Sequence, residues 1–293
     1  GLTLGSDGKW SFDASDAAYQ HLKAGAVQVI NVPYTVTDEH GASTQSSLVI
    51  TVTGTNDAPR ADAATAAAVE DQASKGQLTA TDVDDGAKLS FSVSGNPPAG
   101  FTLKTDGSWT FDGKNPAYQS LAEGETKDIV VKYIVTDEHG ATDTQTLTIT
   151  VTGTNDAPIA YADTATTEEN TVLQGQVPAA TDVDGTIASY QLTSDIAQGK
   201  GSLTFNADGS YTFTPGTAFD HLAVGQSENV TFTYQAKDNN GALSDPQTIT
   251  ITITGSNDAP VASATSGAVK EDAQISGQLA ATDADDGAKL TYT

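Results

Sequence analysis

Carboxylates set in four short motifs, each returning along the chain, are the residues of this sequence best suited to chemistry. A Thr-Asp-x-Asp loop pairs Asp82 with Asp84, Asp182 with Asp184, and Asp283 with Asp285. A Gly-(Thr/Ser)-Asn-Asp-Ala-Pro string carries Asn56 and Asp57, Asn155 and Asp156, and Asn257 and Asp258. An early acidic pair supplies Glu70 and Glu169, and an Asp-x-x-Gly turn supplies Asp137 and Asp238. Such oxygen-only donor sets make hard, irregular sites that suit calcium better than magnesium or zinc. Gathered in one place, these acids repel strongly unless a cation lies among them. The competing reading is purely structural, because Asp and Asn also cap turns with their side chains. For Asp137 and Asp238 a hairpin loop closed by the following glycine fits equally well.

Other chemistries find less support. There is no cysteine, which removes disulfides, thiolate metal sites and cysteine nucleophiles. His40 and His139 sit beside acids, and His21 and His221 share another repeat position, but neither position is histidine in every repeat, which argues against zinc or general-base roles. No Gly-x-Ser-x-Gly setting is present, and the carboxylates are spread over every repeat instead of lining one pocket, so no enzyme is expected. Trp10 and Trp109 could offer a sugar-stacking platform; their alternation with Phe12 and Phe111, and replacement by Tyr211, predict core packing instead. The net charge of −25, from 38 acidic residues against 13 Lys and Arg, excludes nucleic acid and anionic membrane surfaces, which need a basic face. No apolar run reaches the roughly 18 residues of a bilayer span, so no membrane insertion is expected.

What positions the acids is a repeat of about 100 residues, the size of a whole small domain and too long for a solenoid turn. Two complete modules follow from it, 59–157 and 158–259, flanked by the back part of one module (1–58) and the front part of another (260–293). The two partial modules together lack only the loop matching Val93–Ala99, and Gly1 opens directly onto strand-like sequence, as in a piece of a longer array. Each module reads as β. Thr146–Thr152 alternates strictly, with Leu147, Ile149 and Val151 on one face, and Ile129, Val131, Tyr133 and Val135 mark the strand before it. Asp106-Gly107 is a favoured tight-turn pair between Leu103 and Phe111, and Pro116–Leu121 predicts a short helical turn. About seven short strands per module predict an all-β chain of tandem seven-stranded Greek-key sandwiches.

Sandwich loops cluster at the two ends. The Thr-Asp-x-Asp loop and Asp-x-x-Gly turn of one module are therefore expected to face the Asn-Asp string that ends the module before it. The joint between the whole modules would gather Asn155, Asp156, Asp182, Asp184 and Asp238, with Glu70 arriving from the far end of its own module.

With these motifs in place, the chain resembles the VCBS and bacterial cadherin-like repeats of large secreted RTX-type adhesins, over all 293 residues. It is similar, more distantly, to animal cadherins. The resemblance carries the early Pro-Glu-Asn motif onto Glu169-Asn170, the DxD loop onto Asp182 and Asp184, the late turn onto Asp238, and the linker onto Asn155-Asp156 before Pro158. It implies calcium at the joints, an extracellular place on a bacterial surface, and a cadherin-like sandwich. Departures reduce the expected ions to one or two per joint: Gly153 and Ala157 replace two linker ligands, and only Glu125 offers a substitute for the Leu-Asp-Arg-Glu motif.

The implied function is that of an extender region of a cell-surface or biofilm adhesin, stiffened by calcium. The alternative is an adhesive module that itself binds a glycan or pairs with repeats on another cell. The expected partners are adjacent modules of the same chain and end-to-end copies, with Leu279, Leu290 and Tyr292 of one copy packing against Trp10, Phe12 and Tyr34 of the next.

Overall fold

A computed structural model describes residues 1–293 and contains strands and turns but no helix. The chain forms two compact units, Gly1–Thr154 and Asn155–Thr293.

The first unit holds a seven-stranded sandwich: β1 (Ala64–Val69), β2 (Ala73–Gln77), β3 (Ser90–Val93), β4 (Phe101–Leu103), β5 (Ser108–Asp112), β6 (Thr126–Thr136) and β7 (Thr142–Thr152). One sheet has the order β4-β5-β2 and the other β1-β7-β6-β3. The chain changes sheet between β1 and β2, β2 and β3, β3 and β4, and β5 and β6, which is a Greek key. All neighbours are antiparallel except β1, which lies parallel to β7.

Alternation decides which face is buried. On β6 the residues Ile129, Val131, Tyr133 and Val135 are buried, and on β7 Leu147, Ile149 and Val151 lie beside them. The register pairs Ile129 with Ile149 and Val131 with Leu147. Each such side chain contributes about 1.5–3 kcal/mol when fully buried, and a one-residue slip would turn the whole row to solvent. The Tyr133 hydroxyl ends this row by donating to the Asp62 carbonyl. At the β4–β5 turn Gly107 takes φ +84°, which glycine alone adopts without cost. Trp109 on β5 lies flat against Gly76 of β2, where a Cβ would sit 2.4 Å from the indole. Pro116–Leu121 is not helical: two successive turns, Tyr118 N–H to Asn115 O and Leu121 N–H to Tyr118 O, bury Tyr118 and Leu121.

The second unit repeats the plan with β8 (Asp163–Glu168), β9 (Leu173–Gln176), β10 (Ile187–Ser194), β11 (Ser202–Phe205), β12 (Ser210–Thr214), β13 (Ser227–Asp238) and β14 (Gln247–Thr254). Its sheets are β9-β12-β11 and β8-β14-β13-β10. Phe213, Phe219, Phe232, Tyr234, Ile249, Ile251 and Ile253 form its core. Tyr211 lies over Gly175 as Trp109 lies over Gly76, and the Tyr234 hydroxyl donates to the Tyr161 carbonyl at 2.7 Å.

The two terminal segments differ from expectation. Residues 1–58 form a hairpin, Leu2–Leu4 with Trp10–Phe12, and a long ribbon, Val27–Thr37 with Ser43–Thr53. Trp10 is 52% exposed and so is not a core residue here. Trp109 is covered by β2, and residues 1–58 contain no equivalent of that strand. In 260–293 only Val261–Ala262 and Ala281–Thr282 pair, and 263–280 forms none of the expected front strands. Those strands correspond to β1 and β2, which exist by pairing with β7 and β5; residues 260–293 contain neither partner.

Candidate metal centres

Each Asn-Asp string follows a strand that ends against its own module. Gly153 N–H donates to the Glu125 carbonyl at 2.8 Å, and a Cβ at Gly153 would lie 2.4 Å from the Leu121 carbonyl oxygen. Only glycine permits this approach, which fixes where the string leaves the sandwich.

In the first unit Asn56 Nδ2 donates to Asp137 Oδ2 at 2.8 Å, and Asp57 N–H donates to Asp84 Oδ2 at 3.0 Å. Asp84 N–H in turn donates to Asp82 Oδ1 at 2.9 Å. The second unit copies this arrangement: Asn155 Nδ2 to Asp238 Oδ2 at 2.8 Å, Asp156 N–H to Asp184 Oδ2 at 3.3 Å, and Asp184 N–H to Asp182 Oδ1 at 3.2 Å. Asn257-Asp258 begins a third copy, with Asp258 N–H on Asp285 Oδ2 at 3.0 Å and Asp285 N–H on Asp283 Oδ1 at 3.1 Å. The Asn-Asp string therefore meets the Thr-Asp-x-Asp loop and, in the first two copies, the Asp-x-x-Gly turn.

The early glutamates lie at the opposite end of their modules. Glu70 Oε2 accepts the Thr154 N–H at 2.8 Å. Glu169 Oε1 accepts both the N–H and the hydroxyl of Ser256, at 2.8 and 2.9 Å.

These bonds use one oxygen of each loop carboxylate and leave the other without a donor. Asp82 Oδ2, Asp84 Oδ1, Asp182 Oδ2, Asp184 Oδ1, Asp285 Oδ1 and Glu169 Oε2 are buried and accept no hydrogen bond. A buried acceptor left empty costs about 1–3 kcal/mol, and more when charged. All six belong to residues the sequence singles out as ligands. The donors present are oxygens only, which fits calcium. No three acidic or histidine side chains already close around a common point.

Asp137 and Asp238 are different. Asp137 Oδ1 accepts the His139 and Ala141 N–H groups, at 2.8 and 2.9 Å. Asp238 Oδ1 accepts those of Asn240, Gly241 and Ala242. Burial pushes Asp238 up, but the Asn155 amide and these three N–H groups outweigh it and hold the carboxyl below the usual range. The Asn56 amide does most to lower Asp137. Both aspartates thus cap their own turns and tie them to the preceding string. Asp184 is raised by burial and then by its contact with Asp182. Asp258 is raised by burial and then by the carboxylates of Glu169, Asp285, Asp220 and Asp283.

Asp220 has no place among the sequence candidates, yet it faces this third cluster. It occupies the repeat position of Gln20 and Gln119, and the exchange of an amide for an acid there is the signal that points to it. Glu125, the candidate substitute for a missing motif, instead accepts the Ala122 N–H at 3.2 Å and caps its own turn.

Fold and acids together define a tandem β-sandwich chain with carboxylate clusters where its repeats meet. The profile of the bacterial cadherin-like domain matches residues 56–153 and 155–255, more than half of the chain. The chain belongs to this family. A comparison with curated proteins gives no match. Among solved structures, human CDH23 EC21-23 is 21% identical, covering 79% of this chain and 81% of that one, with a TM-score of 0.43. Protocadherin Gamma B2 extracellular cadherin domains 1-5 is 16% identical over 98% of this chain, with a TM-score of 0.49. Drosophila N-cadherin EC1-4 is 16% identical over 98% of this chain and 74% of that one, with a TM-score of 0.37. The chain spans 57% of the Gamma B2 structure and 63% of that of PcdhgB3 EC1-4.

Proposed function

We propose that this chain is a non-catalytic extender segment of a bacterial cell-surface or biofilm adhesin, placed outside the cell and stiffened by calcium where its modules join. The observation that carries this reading is the set of six buried, donorless carboxylate oxygens on Asp82, Asp84, Asp182, Asp184, Asp285 and Glu169. Turn capping by Asp82 and Asp182, and N–H groups distant in sequence for the other four, account for one oxygen of each residue and leave the other at a cost that a cation removes. The resemblance to RTX-type adhesins supplies the setting.

The residues divide the work. Asn56 and Asn155 tie the string to Asp137 and Asp238, which sets its direction. The backbone N–H groups of Asp57, Asp156 and Asp258 hold one oxygen of Asp84, Asp184 and Asp285, turning the second oxygen into the cluster. Calcium, when bound, supplies the positive charge that lets these carboxylates approach. Without it their repulsion opposes a fixed geometry. Strands of 11 residues such as Thr126–Thr136 make each module about 36 Å long, so fixing the joints converts a flexing chain into a long reach.

Small-angle scattering of the full chain in chelator and in millimolar calcium tests the reading. The expected result is a larger maximum dimension and a narrower distribution of sizes in calcium. Identical profiles, with an unchanged melting curve, would leave turn capping as the role of the acids.

A further inference from the structure

Glu70 and Glu169 hold the same repeat position, and their surroundings differ in the donors that reach them. Glu70 has both oxygens engaged: Oε2 accepts the Thr154 N–H at 2.8 Å, and Oε1 accepts the Gln119 Nε2 at 3.4 Å. Glu169 is 2% exposed, its Oε1 takes both donors of Ser256, and its Oε2 is buried with none. The equivalent of Gln119 here is Asp220, which cannot donate when ionised. The equivalence is structural as well as sequential. Tyr118-Gln119 and Phe219-Asp220 sit in matching turns, closed by Leu121 N–H to Tyr118 O and Leu222 N–H to Phe219 O.

The next residue fixes Asp220 against the third cluster. The His221 carbonyl accepts the Asp286 N–H at 2.9 Å, bringing this turn beside the Asp283–Asp285 loop. Ser256, whose N–H and hydroxyl hold Glu169, is two residues before Asp258, whose own N–H holds Asp285. Glu169, Asp220, Asp258 and Asp285 thus come from four separate segments of the second unit and lie near one another, with two buried oxygens, Glu169 Oε2 and Asp285 Oδ1, accepting no hydrogen bond. With an amide at Asp220 the glutamate would be satisfied as Glu70 is; the acid doubles the negative charge instead.

We propose that Glu169 and Asp220 together form a cation subsite that Glu70 and Gln119 do not form, so that successive joints of the chain bind calcium with unequal strength and stiffen in sequence as calcium rises. This rests on the calcium reading above and goes beyond it by ranking the joints. Affinity in oxygen-ligand sites follows the number of charged ligands and the rigidity of their support, and here one extra carboxylate faces a glutamate already fixed by Ser256.

The test is a calcium titration of the full chain, followed by calorimetry and by the backbone amide resonances of Ser256, Asp258 and Thr154. The Ser256 and Asp258 signals are expected to move at the lowest calcium concentrations. In Asp220→Gln their midpoint rises on the order of tenfold, while that of Thr154 stays where it was. Gln119→Asp performs the reciprocal change, lowering the Thr154 midpoint by a similar factor, and carries the test if Asp220→Gln does not fold. Matching spectra in chelator establish that each variant is folded. Midpoints for Ser256 within twofold of the unaltered chain in Asp220→Gln overturn the proposal and leave the calcium reading standing. No calcium response at any of the three amides overturns both.

Discussion

Asn155 and Asp238 are 83 residues apart in sequence, and the amide of one donates to the carboxylate of the other at 2.8 Å. Asn56 and Asp137 repeat the contact at the same length in the other unit. Each links the string that follows one repeat to the last loop of the repeat it enters. Asp238 is 1% exposed, so the carboxylate depends on its donors. Removing the amide by Asn155→Ala leaves Oδ2 without that partner and should cost about 1–3 kcal/mol. Thermal unfolding in chelator checks this, with a fall of several degrees expected. A loss below about 0.5 kcal/mol, the scale of an ordinary surface change, would mean that the contact does not hold the turn.

The hairpin turns offer an independent check on the acid chemistry, away from the clusters. Ser108 donates to Asp106 Oδ1 through its hydroxyl at 2.6 Å and its N–H at 2.9 Å, and Ser210 does the same for Asp208. The hydroxyl bond is the larger cause holding each carboxyl below the ordinary aspartate range, with the N–H bond second. A carboxyl lowered on folding contributes stability above its unfolded value and loses it as pH falls through the folded value. Carboxyl carbon resonances should therefore show Asp106 and Asp208 titrating at lower pH than free aspartate. Ser108→Ala should return Asp106 towards the ordinary value while Asp208 does not move; equal titration of both aspartates in that variant would refute the assignment.

How much of this was legible in the sequence depended on what recurred. The alternation of Ile129, Val131, Tyr133 and Val135 announces a strand with one buried face, and the structure buries that face. The acids of the Thr-Asp-x-Asp loops announce themselves because they return in each repeat with fixed spacing. Asp220 did not, since an acid present in one complete repeat and absent from the other is invisible to an argument built on recurrence. Trp10 shows a second limit. Alternation identifies its inward face, but burial requires a covering strand, and that information lies in other residues. The same holds for 263–280, whose strand character is conditional on partners at β5 and β7 positions.

The exposed faces at the two ends lead to a prediction about copies of the chain. Leu2, Leu4, Trp10, Val32, Tyr34 and Leu48 line an open groove. Trp10, Leu279 and Tyr292 are each about half exposed. Residues 260–293 of one copy can supply the strands that 1–58 of another lacks, and such a heterologous contact builds linear arrays. Sedimentation should show a weight-average mass that rises with concentration, and Trp10→Ser should weaken the rise. A mass that stays that of one chain up to about 1 mM, a binding energy of only about 4 kcal/mol, would remove end-to-end pairing from the account. The charge of −25 opposes association at low salt, so the measurement belongs near physiological ionic strength.

Asp182 and Asp184 provide the most direct test of calcium at a single cluster. Each keeps one oxygen buried and empty, and the burial that raises Asp184 is reinforced by Asp182 beside it. Replacing both with asparagine removes two negative charges while retaining an oxygen that can accept the N–H groups of Asp156, Asp184 and Gly185, so the loop can keep its shape. In chelator the variant should melt no lower than the unaltered chain, because the mutual repulsion is gone. At about 10 mM calcium the unaltered chain gains about 1.4–2.7 kcal/mol for each site of dissociation constant between about 10⁻³ and 10⁻⁴ M. The variant should lose that share at this cluster while the clusters at Asp84 and Asp285 continue to respond. The paired measurement is differential scanning calorimetry with and without calcium, read beside the amide shifts of Asp156 and Asp258. Calcium-dependent movement of the Asp156 amide that survives the double substitution would show that these two carboxylates do not hold the ion. Loss of folding in chelator would show instead that their charge, and not only their shape, supports the loop.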